Sequence, residues 1–194
     1  MINKVAVIGG SAGSIRVVKT ILTGLHIPKQ SAVMICLHRL QSDLTTGLRD
    51  VLQYSTDIPI IEPKDREAIH GGNIYLAPTN VHLVVEHDLV FSLSSSPLVQ
   101  YSRPSIDVLF LSASEVFGEN LAGILVTGAN RDGAFGMKSI RESGGKTIVQ
   151  DPQDCFIDTM PKAAMAMTAI EHILDAESIQ KWLVNYFKVA LAQT

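Results

Sequence analysis

The 194-residue sequence predicts an α/β fold: a doubly wound, mostly parallel sheet flanked by helices, with an antiparallel hairpin in the middle section. Three observations carry this expectation. Short apolar runs recur as continuous rather than alternating segments, the pattern of strands buried on both faces. Most are followed by apolar residues spaced three and four apart, as on one face of a helix. Between residues 81 and 93 two β-like runs flank His87-Asp88, a turn signal of the hairpin type.

Val5–Ile8 is the first strand, and Ile15, Val18, Ile21, Leu22 and Leu25 mark the helix after it. Ala32–Leu37 repeats the strand, and Leu44, Leu48, Val51 and Leu52 repeat the helical face. Ile58–Ile61, Asn73–Ala77, Val81–Val85 and Leu89–Leu93 are short β-like runs, read together as an antiparallel section. The helical period then returns through Ile106, Leu109, Phe110, Ala113, Val116 and Phe117, with Pro104 suited to its first turn and Gly118 to its end. Leu121–Val126 is a buried strand, Ala134–Arg141 a helix closed by Gly144-Gly145, and Lys146–Val149 a strand. Pro161–Ile170 and Ser178–Leu191 complete the chain as helices.

With 46% hydrophobic residues, one compact domain spanning residues 1–194 can bury a sizeable core. Sixteen Lys and Arg stand against nineteen Asp and Glu, a formal net charge of −3, and no basic run stands out, so nucleic acid and anionic membranes are poor partners. The opening apolar run is too short for a signal peptide, and no stretch approaches the roughly 20 residues that span a bilayer. Cys36 and Cys155 are too few for a disulfide scaffold or a zinc site. No metal or cofactor is expected, and the cytoplasm is the expected location.

In an open parallel sheet, ligands bind beyond the carboxyl ends of the strands, where loops diverge and helix N-termini present free N–H groups. Three such ends carry reactive side chains. Gly9-Gly10-Ser11-Ala12-Gly13-Ser14 follows the first strand with G-x-S-x-G spacing, and its small residues let a substrate approach the backbone beside an exposed serine oxygen. A phosphate loop is disfavoured, because Ile8 and Ser11 stand where G-x-G-x-x-G needs glycine. A plain capping turn remains open. His38 follows the second strand on the same edge, the place of a general base. Asp132 follows Leu121–Val126 within Thr127-Gly128-Ala129-Asn130-Arg131-Asp132-Gly133, where it can cap a helix or orient an imidazole. Jointly, Ser11, His38 and Asp132 read as an acyl-transfer triad in an order that an ordinary α/β-hydrolase does not use.

Ile8-Gly9-Gly10-Ser11-Ala12-Gly13, Leu37-His38, Gly72-Asn73-Ile74-Tyr75-Leu76-Ala77-Pro78 with His82, Arg103-Pro104-Ser105-Ile106-Asp107-Val108-Leu109-Phe110, Thr127-Gly128 with Asp132-Gly133, and Met160-Pro161 occur in this order. On these residues nearly the whole chain resembles the catalytic domain of the bacterial chemotaxis protein-glutamate methylesterase family. The resemblance implies Ser11 as nucleophile, His38 as base and Asp132 as orienting carboxylate. It further implies hydrolysis of γ-glutamyl methyl esters on chemoreceptor helices, and deamidation of receptor glutamines in some members. The partner would be a methylated chemoreceptor or another protein substrate. Backbone N–H groups of Ala12 and Gly13 would meet the oxyanion, with the loop at Ala129 as a second source.

The sequence also departs from the family pattern. Ala129 and Asn130 replace a methionine and a glycine of the Asp132 loop, Ser14 replaces a glycine, Arg39 a methionine, and Ser102 a histidine. Family members commonly carry an N-terminal receiver domain. Here the first strand begins at Val5, so residues 1–194 read as the catalytic domain without one, whether free-standing or a fragment. The altered Asp132 loop motivates an alternative, a non-catalytic member that binds a receptor helix or a signalling partner.

Overall fold

A computed structural model of the chain describes residues 2–38 and 47–191, so Arg39 and Leu44, named above, lie outside the described residues. In chain order the elements are β1 (Lys4–Gly10), α1 (Ser14–Leu22), β2 (Ser31–Leu37), α2 (Gly47–Gln53), β3 (Ile60–Ile61), β4 (Ile74–Leu76), β5 (His82–Val85) and β6 (Phe91–Ser94). They continue with α3 (Ile106–Phe117), β7 (Leu121–Leu125), α4 (Ala134–Glu142), β8 (Lys146–Gln150), α5 (Thr159–Met167), β9 (His172–Leu174) and α6 (Ala176–Leu191).

Seven strands form one parallel sheet in the order β3-β4-β2-β1-β7-β8-β9. Alternate residues of β1 face opposite layers. Val5 and Val7 pack with Met34, Leu109, Phe110 and Met137 under α3, α4 and α5, whereas Ala6 and Ile8 pack with Val18, Ile21, Leu183 and Phe187 under α1 and α6. Every residue of β2 is buried. This double cover explains why the strands read as continuous apolar runs.

The chain leaves β1 toward β2 on one side and returns from β4 to β7 on the other. The loops after β1 and β7 therefore part on opposite faces of the sheet, opening a crevice at a topological switch point. Ser11 leaves β1 and Asp132 follows β7, with His38 one strand over.

Several expectations need correction. β3 and β4 are not antiparallel: β3 pairs in parallel with β4, and β4 with β2, extending the main sheet. Their two and three residues are too short to show a period, and only β5 and β6 form the expected antiparallel pair. The α3 helix begins at Ile106 rather than Pro104, because the extended Ser105 is its N-cap and accepts from the Val108 N–H. The α5 helix runs Thr159–Met167 rather than Pro161–Ile170, since Thr168 is extended, and β9 follows as an unforeseen edge strand of three residues.

Candidate active site

The register of β1 sets the serine loop. Gly10 pairs with Leu37 on one side and Gly9 with Leu125 on the other, so Ser11 emerges between the ends of β2 and β7. The Ser11 N–H donates to the Thr127 carbonyl at 2.9 Å, and the Ser14 N–H returns to the Ser11 carbonyl at 3.0 Å, closing a tight turn. Gly13 holds φ at +81°, and a Cβ there would lie 2.6 Å from that of Phe156. Among the described residues, the N–H groups of Ala12 and Gly13 find no acceptor. From below, the buried Thr127 hydroxyl lies 3.0 Å from both the Ala12 and the Ile157 carbonyl, its single proton shared between them, and accepts the Ile157 N–H.

His38 is fixed at its backbone by an N–H bond to the Gly10 carbonyl at 3.1 Å. Its Nε2 lies 2.7 Å from Asp132 Oδ2. A carboxylate partner places the proton on Nε2, so Nδ1 is the acceptor nitrogen. Nδ1 faces Ser102 Oγ and Asn130 Nδ2, each at 3.3 Å. No hydrogen bond joins His38 to Ser11, although both line one cavity together with Ala12, Gly13, Ser102 and Asn130. Ala129 is exposed and lies outside that lining among the described residues.

Asp132 is fully buried and belongs to two structures at once. Its Oδ1 accepts from the Ser105 hydroxyl at 2.8 Å, the Asp107 N–H at 2.9 Å and the Gly133 N–H at 3.0 Å, while Oδ2 accepts the Ile106 N–H at 2.7 Å beside His38. It therefore caps the N-terminus of α3. Burial opposes its ionisation, but the hydrogen bonds from His38, Asp107 and Ile106, together with the imidazole charge, hold its carboxyl below the usual range. Asp107 reciprocates by accepting the Gly136 N–H at 2.7 Å in the first turn of α4. Burial pushes Asp107 up to about 6, against the Gly136 hydrogen bond and with the repulsion of Asp132.

The other wall is the strap after β6. Val99 and Ser102 exchange two backbone bonds, and Gln100 and Tyr101 between them take left-handed φ values of 46° and 62°. That tight turn aims Ser102 at His38. Arg103 ties it down through Asn80 Oδ1 at 2.8 Å and the Ser95 carbonyl at 2.8 Å. His82 is a buried strut: Nδ1 accepts the Ser105 N–H, so Nε2 carries the proton given to the Pro97 carbonyl.

Sequence reasoning singled out Ser11, His38 and Asp132, and the structure brings all three to one sheet edge. It did not find Ser105 and Asp107 as partners of Asp132, or the contacts of Ser102 and Asn130 with His38. A capping serine before Ile106 was a legible signal for Ser105. The other contacts cross between loops far apart in sequence and leave no local pattern. No cluster of three or more metal-ligating side chains occurs among the described residues, and no described helix is long and apolar enough to cross a membrane.

Residues 6–183 match the family model described as CheB methylesterase. A Leptospira interrogans relative named putative protein-glutamate methylesterase/protein-glutamine glutaminase is 42% identical over 179 residues, which cover 92% of each chain. The Myxococcus xanthus protein-glutamate methylesterase FrzG is 32% identical over 182 residues, covering 94% of this chain and 54% of that one. The chain thus spans nearly all of one relative and about half of another. The crystal structure of the Thermotoga maritima CheB methylesterase catalytic domain superposes with a TM-score of 0.86 at 26% identity, covering 94% of this chain and 98% of that one.

Proposed function

The chain belongs to the CheB methylesterase family, and from that premise we propose that it is a serine hydrolase cleaving γ-glutamyl methyl esters on chemoreceptor-type proteins. Ser11 is the nucleophile, His38 the general base and Asp132 the orienting carboxylate. The observation that carries this reading is the 2.7 Å contact of His38 Nε2 with a buried carboxylate, which leaves Nδ1 as a proton acceptor in the cavity that Ser11 lines.

The reaction begins when Ser11 Oγ rotates onto His38 Nδ1, a contact that free enzymes often leave unmade until substrate arrives. Nδ1 takes the serine proton as Oγ attacks the ester carbonyl, and Asp132 stabilises the imidazolium that forms. The negative oxygen of the tetrahedral intermediate is met by the unpartnered N–H groups of Ala12 and Gly13, whereas Ala129, exposed and outside the cavity lining, is not the second donor that the sequence led one to expect. Collapse passes the proton from Nδ1 to the departing methanol. Water then resolves the acyl-enzyme to a glutamate. A glutamine side chain follows the same course with ammonia as the leaving group, so deamidation is a second activity of the same site.

The partner on this reading is a methylated chemoreceptor or a similar protein, and the enzyme works in the cytoplasm without a cofactor. A fluorophosphonate probe reports the nucleophile: covalent labelling confined to Ser11, together with methanol release from a methylated receptor fragment, is the expected result. Labelling at another residue sinks the assignment.

A further inference from the structure

Two side chains converge on the free nitrogen of His38 from opposite walls of the site. Ser102 comes from the strap after β6 and Asn130 from the loop after β7, and both stand 3.3 Å from Nδ1. Asn130 is oriented from behind. Its Oδ1 accepts the Asp132 N–H at 3.1 Å, so it is the amino group that faces the ring. Ser102 Oγ also lies 3.5 Å from the Gln100 carbonyl, which can take the hydroxyl proton when the oxygen turns acceptor.

Resting on the proposed triad, we infer that Ser102 and Asn130 hold the water that hydrolyses the acyl-enzyme. Once the alcohol has left, a water at this position has all four of its directions assigned. One O–H points to His38 Nδ1 and the other to Ser102 Oγ. One lone pair accepts from Asn130 Nδ2, which leaves the second aimed at the acyl carbon. The water oxygen bonds to the carbonyl carbon while its proton passes to Nδ1. The carbon–Oγ bond of Ser11 then breaks, and the proton returns from Nδ1 to Oγ. One water is consumed, a carboxylic acid is released and Ser11 regains its hydroxyl. Acylation makes no such demand on Ser102 or Asn130, because there the proton comes from Ser11 itself.

The test is stopped-flow hydrolysis of p-nitrophenyl acetate by the full chain, with intact-mass detection of acetylated enzyme. Ser102→Ala and Asn130→Ala should slow the steady state about tenfold more than they slow first-turnover release of p-nitrophenolate, the effect of removing one hydrogen bond to the reacting water, so that acetyl-Ser11 accumulates. Ser102→Thr keeps the hydroxyl and should deacylate close to the wild-type rate. Equal slowing of both phases, or no slowing in either alanine variant, overturns the inference while leaving the triad standing. Turnover that survives Ser11→Ala, or wild-type enzyme that forms no acetyl-Ser11 and turns nothing over, removes the triad reading and this inference with it.

Discussion

Asp132 shares one carboxylate between the His38 ring, 2.7 Å from Oδ2, and the opening turn of α3, where the Ile106 and Asp107 N–H groups lie at 2.7 and 2.9 Å. The group that orients the imidazole is thus also the group that anchors a helix. Substitutions at Asp132 have to be read on both scales.

Asp132→Asn weighs on the two roles unequally. The amide keeps Oδ1 for the Asp107 N–H but offers an N–H where both the His38 Nε2–H and the Ile106 N–H need an acceptor, so α3 loses one of its two bonds while the ring is driven to the other tautomer, and turnover should fall by about 10⁴-fold. Asp132→Ala loses the acceptor altogether and leaves buried donors of Ser105, Ile106, Asp107 and Gly133 unsatisfied, a cost of about 3–5 kcal/mol. Urea unfolding and methanol release should therefore rank the two variants differently. An Asn variant retaining a tenth of wild-type turnover contradicts the assigned tautomer.

The sequence exposed this division of labour only in part. Strands β1, β2, β7 and β8 were legible because burial on both faces leaves continuous apolar runs, and with them came the edge where Ser11, His38 and Asp132 emerge. Strands β3, β4 and β9 were misread or missed because two or three residues carry no period and take their pairing from the neighbouring strand. Asp107 looks in sequence like any acidic residue in a first helical turn. Its meeting with the α4 amides depends on how α3 packs on α4.

Asp107 gives stability a pH dependence opposite to that of Asp132. Its folded-state value, raised from 3.8 to about 6, means that the native state binds more protons between those values, so its contribution to stability falls as pH rises from about 4 to about 6. Asp132, held low, contributes stability that is lost only as pH falls below the usual carboxylate range. Asp107→Asn keeps an oxygen for the Gly136 N–H without the charge. At pH 7.5 it should be more stable than wild type by about 3 kcal/mol, and that advantage should vanish near pH 4. Denaturation midpoints at the two pH values check this, and a pH-independent difference refutes it.

Gly136 lets α4 lie against α3. A Cβ there would meet the Phe110 Cβ at 2.4 Å, a rigid part of a fully buried ring residue. Helix propensity favours alanine over glycine by about 1 kcal/mol, but overpacking a tight contact costs about 1–3 kcal/mol. Gly136→Ala should therefore lower the melting temperature. It should also lower turnover, since parting α3 from α4 stretches the Gly136–Asp107 bond and shifts the amides that hold Asp132. A more stable variant would show that α4 yields freely at this contact.

The sharpest kinetic expectation concerns Ser11 and Asp132 together. Without the serine oxygen no acyl-enzyme forms, so Ser11→Ala should reduce ester hydrolysis by on the order of 10⁴-fold or more. In the proposed triad Asp132 acts only through His38, and His38 acts on the Ser11 proton. Once Ser11 is gone, the carboxylate has no proton transfer left to support. The double variant Ser11→Ala with Asp132→Asn should hence be scarcely slower than Ser11→Ala, although each single loss is large. Independent contributions would instead multiply to about 10⁸-fold, far below any measurable rate. The measurement is methanol release from a methylated receptor fragment by wild type, both single variants and the double variant at equal folded concentration. Folding is checked separately, because Asp132 also caps α3. Turnover in Ser11→Ala within about tenfold of wild type places the chemistry at another group, since a nucleophile cannot be removed so cheaply.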